Sequence, residues 1–167
     1  MQLGLTKRTG DAIRILMHLA ALPPGTRLTS SELSTAARVS AGNTPTLVAA
    51  LSRAGILDCA RGPGGGCALG RDPAEITIAQ SIIAIEGSLE PEHCAIDERR
   101  CVDRDFPCGL HETWSMTVRD LTASLNSLSL AEALRRDELN RTRPPRHSQP
   151  LGGNGARFQR RTDSAWV

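Results

Sequence analysis

Tyrosine is absent from the 167 residues, and only Phe106, Phe158, Trp114 and Trp166 carry an aromatic side chain larger than histidine. A core built from this chain must therefore come mainly from Leu, Ile, Val and Ala. No apolar run approaches the roughly 20 residues that a membrane-spanning helix needs. The opening "MQLGLTKRTG" also lacks the long apolar stretch of a secretory signal. The expectation is a cytoplasmic protein with no membrane contact, in a compartment where thiols stay reduced. Five cysteines are an odd number and fit a disulfide framework poorly. No phosphate-binding P-loop, no G-x-S-x-G elbow and no Cys–His pair within a plausible enzyme fold is present, so nothing points to an enzyme.

Charge is present but unevenly placed. Residues 1–70 carry seven basic against three acidic groups, and residues 142–167 carry five against one. Between them, residues 71–141 carry eight basic against fourteen acidic groups. The two ends suit a phosphate backbone, which the middle would repel.

Helical periodicity opens the chain. In "DAIRILMHLAA", Ile13, Leu16, Met17 and Ala20 share a helical face, and Pro23-Pro24 ends the run. Thr29 and Glu32 have capping-box spacing, which starts a short helix with Leu33, Ala36 and Ala37 inward. A third helix follows, capped by Ser40, with Pro45 in its first turn and Leu47, Val48 and Leu51 as its apolar stripe. Gly55 is its natural stop. The period then changes: "ILDCA" and "CALG", joined by "RGPGGG", make a hairpin. Three helices and a hairpin are the order of a winged helix-turn-helix, whose third helix enters the major groove of DNA.

Further along, "ITIAQSIIAIE" forms another amphipathic helix. Trp114, Val118, Leu121, Leu125 and Leu128 then repeat at spacings of 4, 3, 4 and 3, a heptad seam suited to pairing with a twin helix. Ser129 and Glu132 form a second capping box. From Thr142 the composition turns to Pro, Gly, Arg and Ser, which cannot build a core and predicts disorder. The fold class expected is mostly α with a small β-hairpin wing. Its parts are a winged helix-turn-helix over 1–72, a cluster loop and dimerisation helices over 73–141, and a disordered basic tail over 142–167.

Cys94, Cys101 and Cys108 fall seven residues apart in "CAIDERRCVDRDFPCGLH", and His111 follows three residues after the last. They could be three buried residues on one helix face. Pro107 and Gly109 interrupt such a helix, and "DERRCVDRD" is too charged to pack around buried thiols. Metal ligation remains, by zinc or an iron–sulfur cluster. Structural zinc usually shows paired C-x2-4-C knuckles, whereas the wide spacing here suits the separated irons of a cluster.

Taken together, "LTKRTGDAIRILMHLA", "RGPGGGCALGRD" and the cysteine triplet before a long helix resemble the iron–sulfur winged-helix transcriptional regulators, the family of IscR, NsrR and RirA. The resemblance covers about residues 3–136. It implies that Cys94, Cys101 and Cys108 ligate a cluster. "CGLHETW" resembles the IscR-type segment in which a histidine completes a [2Fe–2S] site, which makes His111 the fourth ligand. In NsrR-type members an Asp near the N-terminus of the partner subunit does so instead. Here "TGDAIR" puts Gly10 at that place and Asp11 one residue later, so [2Fe–2S] is favoured over [4Fe–4S]. The alternative for His111 is a solvated residue at a helix start. Cys59 and Cys67 read as small packing residues, with a redox role open for Cys67.

For DNA, Ser40, Asn43, Thr44 and Thr46 lie near the start of the third helix, the end that reaches base edges. Helix capping competes for Asn43 and Thr44. Arg53 suits a phosphate contact, as do Lys7 and Arg8 at the first helix. The resemblance implies that Arg61, ahead of the wing glycines, enters the minor groove. The function expected is a homodimer joined through a 113–128 helix on a palindromic double-stranded operator. Its affinity would follow the redox, nitric oxide or iron status of the cluster, as in a repressor or redox sensor. The alternatives are a cluster-free thiol-sensing or protein-binding relative of the same fold, or a small iron–sulfur carrier.

Overall fold

Thr6 opens the first helix, its hydroxyl oxygen accepting the backbone N–H of Thr9, and α1 runs Lys7–Ala20. The structure, a computed structural model, describes residues 5–89, 99–100 and 106–143. Within α1, Ala12, Ile15, Leu16 and Leu19 are the buried apolar residues, whereas Ile13, Met17 and Ala20 are only partly buried. The inward face is thus turned from the 13, 16, 17, 20 stripe expected from spacing. α1 packs against α2, α3, α4, α6 and β2, so its apolar residues spread wider than one narrow stripe.

The Thr29–Glu32 capping box forms with both of its hydrogen bonds and starts α2, Ser30–Ala36. Leu33 and Ala37 face the core, but Ala36 is exposed. α3 spans Thr44–Arg53 and buries Leu47, Val48 and Leu51, as its stripe predicts. Its cap is Asn43 rather than Ser40, and no side chain makes the capping bond. At the other end the backbone N–H groups of Gly55 and Ile56 bond the carbonyls of Ser52 and Leu51, both at 3.0 Å, a Schellman closure.

The hairpin forms. β1, Leu57–Ala60, pairs antiparallel with β2, Gly66–Leu69, in the register Leu57↔Leu69, Asp58↔Ala68, Cys59↔Cys67 and Ala60↔Gly66. A third segment joins it, since Leu28 and Cys67 exchange backbone hydrogen bonds of 3.0 and 2.8 Å. Gly66 sits at φ +130, and a Cβ there would lie 2.9 Å from the Leu28 backbone, so this close approach requires glycine. Cys59 and Cys67 are joined by a disulfide. That corrects the reading of both as packing residues: Cys67 is buried, while Cys59 is exposed.

Thr77 caps α4, Ile78–Glu86, in a second complete capping box, with Gln80. α5 runs His111–Asn126 and α6 Leu130–Arg141. The starts of α4 and α6 are stitched together, Ile78 N–H to Leu128 C=O and Leu130 N–H to Ile76 C=O, both at 2.8 Å. Leu130 is fully buried in the same core as Leu16 and Leu51. Ser129 accepts the Glu132 N–H, but the Glu132 carboxylate turns to Arg135 and Arg136, so only half of that box is made. Those guanidinium groups hold its carboxyl at about 2. None of the described helices is long and apolar enough to cross a membrane. The expectation of tail disorder falls on residues 144–167, outside the described residues; Thr142 caps α6.

Candidate nucleic-acid interface and cluster-binding segment

The short α2, a turn at residues 37–43 and α3 place the start of α3 at the surface. Ser40, Asn43 and Thr46 are exposed there. The Asn43 amide spends no hydrogen bond on capping, which leaves it for another partner. Thr44 differs from its neighbours. It is fully buried, and its hydroxyl donates to the Ser40 carbonyl at 3.0 Å, so it cannot read a base edge. Of the two roles open to Thr44, the structural one prevails.

Arg53 is exposed at the far end of α3, its Nε 3.3 Å from the Ala49 carbonyl. Lys7 and Arg8 are exposed on the first turn of α1. Lys7 Nζ lies 3.0 Å from the Asp11 carboxylate but keeps most of its side chain in solvent. Arg61 is exposed where β1 passes into the glycine loop.

Two arginines went unread in the sequence. Arg38 sits in the turn between α2 and α3 with φ +54, exposed, a conformation uncommon for a residue with a Cβ. Only a glycine or asparagine would have signalled it. Arg27 braces the wing from below, pairing with the Asp58 carboxylate and donating to the carbonyls of Asp58 at 3.2 Å and Gly66 at 3.1 Å. Nothing local in the sequence links positions 27, 58 and 66.

Asp11 is buried, and both its oxygens are engaged, one by Lys7 and one by Arg14. Burial pushes its carboxyl up, but hydrogen bonds from Lys7 and Arg14 and their charges outweigh this and leave it lowered. Its oxygens are thus already committed. Glu86, at the end of α4, accepts hydrogen bonds from the hydroxyls of Thr6 and Thr9, which lower its carboxyl. That joint ties the first turn of α1 to the element preceding the cysteine segment.

Cys94 and Cys101 lie outside the described residues. Cys108 and His111 are described and stand together at the entrance to α5. Cys108 is half-buried, and its carbonyl accepts the His111 N–H at 2.9 Å. His111 is the first residue of α5 and is half-buried. Cys108 and His111 thus lie within one backbone turn, the relation the expected ligand set needs at its last two positions. Among the described residues no three His, Cys, Asp or Glu side chains converge on a metal position. One turn into α5, Trp114 Nε1 is buried and has no hydrogen-bond partner among the described residues.

α5 buries none of its residues fully. Leu125 and Leu128 rest against the core, Leu128 just beyond the helix end, whereas Leu110 and Leu121 are exposed. The expected 113–128 helix is therefore His111–Asn126, and of its seam Leu121 is exposed while Trp114, Val118, Leu125 and Leu128 are partly buried.

Comparison with known proteins agrees with this architecture. Residues 5–136 match the model of the Rrf2 family, described as "Iron-dependent Transcriptional regulator". The HTH-type transcriptional regulator IscR of Photorhabdus laumondii is 34% identical over 93 residues, 56% of this chain and 56% of that protein. The chain thus spans little more than half the length of that relative. Among solved structures, the IscR of T. potens superimposes with a TM-score of 0.68 at 22% identity, over 87% of this chain and 96% of the other. CymR, the global cysteine regulator of B. subtilis, does so with a TM-score of 0.66 at 22% identity, over 80% of this chain and 98% of its own. Each carries the winged fold seen here. The match over 5–136 covers most of the chain and settles its kinship: it belongs to the Rrf2 family of transcriptional regulators, which are not enzymes.

Proposed function

We propose that the chain is a homodimeric, cytoplasmic DNA-binding regulator whose operator affinity depends on an iron–sulfur cluster held by Cys94, Cys101, Cys108 and His111. One observation carries the reading: an exposed α3 start and the exposed Arg61 wing stand on a fold whose α5 begins with a half-buried Cys108–His111 turn. Residues 1–72 would bind DNA, residues 73–141 would hold the cluster and the dimer seam, and the tail from 142 would add basic charge.

Ser40, Asn43 and Thr46 would face base edges in the major groove, since amide and hydroxyl groups pair there with several bases. Arg61 would enter the minor groove, while Lys7, Arg8 and Arg53 neutralise phosphates. Leu121 and its neighbours on α5 would meet their copies across the twofold axis, spacing the two α3 helices for a palindromic site.

A bound cluster supplies reversible one-electron chemistry and sensitivity to oxidants and nitric oxide. Cys108 and His111 would then fix the start of α5. Glu86 would pass that restraint to Thr6 and Thr9 at the DNA-facing turn of α1. A [2Fe–2S] cluster is favoured over [4Fe–4S], because His111 stands beside Cys108 while the Asp11 carboxylate is already engaged. Anaerobic reconstitution followed by visible spectroscopy and iron and sulfide analysis tests the assignment. Colour, iron and sulfide should be lost in a variant with Cys94, Cys101 and Cys108 all changed to Ser. Full retention in that variant contradicts the ligand set, and a colourless wild type selects the cluster-free thiol-sensing alternative.

A further inference from the structure

The wing carries a thiol pair separate in sequence from the cysteine triplet. We propose that Cys59 and Cys67 form a reversible dithiol–disulfide pair at the base of the wing, a redox-modification site that stiffens the loop carrying Arg61. The consequence for DNA rests on the operator-binding reading above; the pair itself does not.

Register places the two sulfurs together. Cys67 directs its backbone N–H and C=O to Leu28, on the side away from β1. Cys59↔Cys67 is therefore a non-hydrogen-bonded pair, the kind in which facing side chains come closest, and its Cα atoms are 4.1 Å apart. The hairpin alone thus holds the thiols within bonding reach. Their surroundings differ in a useful way. Cys59 is exposed and can meet a small molecule, while Cys67 is buried and can meet only Cys59.

The two strands also differ in anchorage. β2 is held in the core by Cys67 and Ala68 and along its outer edge by Leu28. β1 is buried only at Leu57; Asp58, Cys59 and Ala60 are all exposed, and they lead directly to Arg61. Beyond the backbone ladder, the ties from this half of β1 to the body are the exposed Arg27–Asp58 pair and the disulfide. The bond encloses residues 60–66, four of them glycine, which lose the most conformational freedom on ordering.

A low-molecular-weight disulfide of the glutathione class balances the chemistry. The Cys59 thiolate attacks its S–S bond, forms a mixed disulfide and releases one small thiolate. The Cys67 thiolate then attacks the Cys59 sulfur, closes the bond and releases the second. Two electrons pass from the protein pair to the small disulfide, and the two protein thiol protons end on the two released thiols. Excess reduced thiol reverses both steps. In a reducing cytoplasm the resting form is the dithiol, and an oxidising excursion closes the wing.

The test equilibrates the full chain anaerobically with mixtures of oxidised and reduced glutathione, then blocks thiols by alkylation. Cleavage after Arg53, Arg61 and Arg71 puts Cys59 and Cys67 on separate peptides, so the closed bond appears as a linked pair of 54–61 with 62–71. Linkage should rise and fall reversibly with the glutathione ratio, and the native oxidised protein should be cut more slowly at Arg61 by trypsin. On an operator duplex selected from a random-sequence pool, the oxidised form should bind about three- to tenfold more tightly, the gain from pre-ordering a contact side chain. Cys59→Ser, a surface change, should bind at the weaker level whatever the ratio. Absence of the linked peptide at every ratio, or linkage with unchanged cleavage at Arg61, overturns the proposal. Linkage that changes cleavage at Arg61 while neither form binds DNA upholds the redox-controlled wing and refutes the operator-binding reading instead. Equal operator affinity of the two forms overturns the link from wing to DNA.

Discussion

Thr44 and Thr46 stand two residues apart in the same helical turn, yet one is sealed in the protein and the other faces solvent. Sequence treats them alike, because both lie at the start of an amphipathic helix and only tertiary packing separates them. Thr44→Val should cost about 0.5–1.5 kcal/mol of stability by removing one hydrogen bond, and leave operator affinity unchanged. Arg61→Ala should do the reverse, with stability unchanged and operator binding weaker by about 1–3 kcal/mol. Thermal melts and binding isotherms on the same two proteins check both. The Asp11 and His111 pair divides in the same manner. Asp11→Asn should lower the melting temperature, since it weakens the bonds of a buried carboxylate to Lys7 and Arg14, but keep the visible spectrum of the reconstituted protein. His111→Ala should bleach or shift that spectrum. Spectral loss with Asp11→Asn and none with His111→Ala would exchange their roles.

At the scale of elements, capping boxes and stops were the most legible features, because each rests on residues three or four positions apart. The Thr29 box, the α3 stripe, the Gly55 stop and the hairpin all form where local spacing places them. The buried face of α1 departs from its 13, 16, 17, 20 stripe for a non-local reason: four helices and β2 pack on it, so no single stripe marks the core. The Cys59–Cys67 bond was likewise hidden. Counting five cysteines as one set obscured a division into three and two, and the pairing depends on a strand register that the count cannot supply. The joint between α4 and α1 gives a pH-dependent test. The Glu86 carboxyl is lowered from its ordinary value of 4.5, so its contribution is fully present above that pH and is lost as pH falls through the depressed folded value. Melting curves should therefore show Glu86→Gln less stable than wild type at neutral pH, with the gap closing in acid. A gap that stays constant down to strongly acidic pH would show that the carboxylate charge is not what holds the joint.

The whole molecule is organised around a core shared by α1, α3, α4 and the start of α6, with the wing at one edge and α5 laid outside. In the proposed homodimer Leu121, half exposed on α5, would sit at the centre of the twofold contact. Leu121→Glu should remove about 1.5–3 kcal/mol at each of two symmetry-related contacts. Sedimentation should then report the monomer mass while the melting behaviour of each protomer persists. The acidic middle and basic ends were readable from charge alone, and they anticipated which half of the molecule would carry the exposed Lys7, Arg8, Arg53 and Arg61. The proposed ligand set turns on distances among Cys94, Cys101, Cys108 and His111, which spacing along the chain does not carry. Cluster control of DNA binding is tested most directly by titrating one operator duplex, at one salt concentration, with cluster-loaded protein and with the same preparation after its iron is removed. Coupling of the two sites should separate the curves by about 5- to 150-fold, and operator DNA should shift cluster stability by the same factor. Superimposed curves, from a preparation whose iron and sulfide are shown to be bound beforehand, would contradict cluster control and leave a regulator that reads DNA without reading its metal.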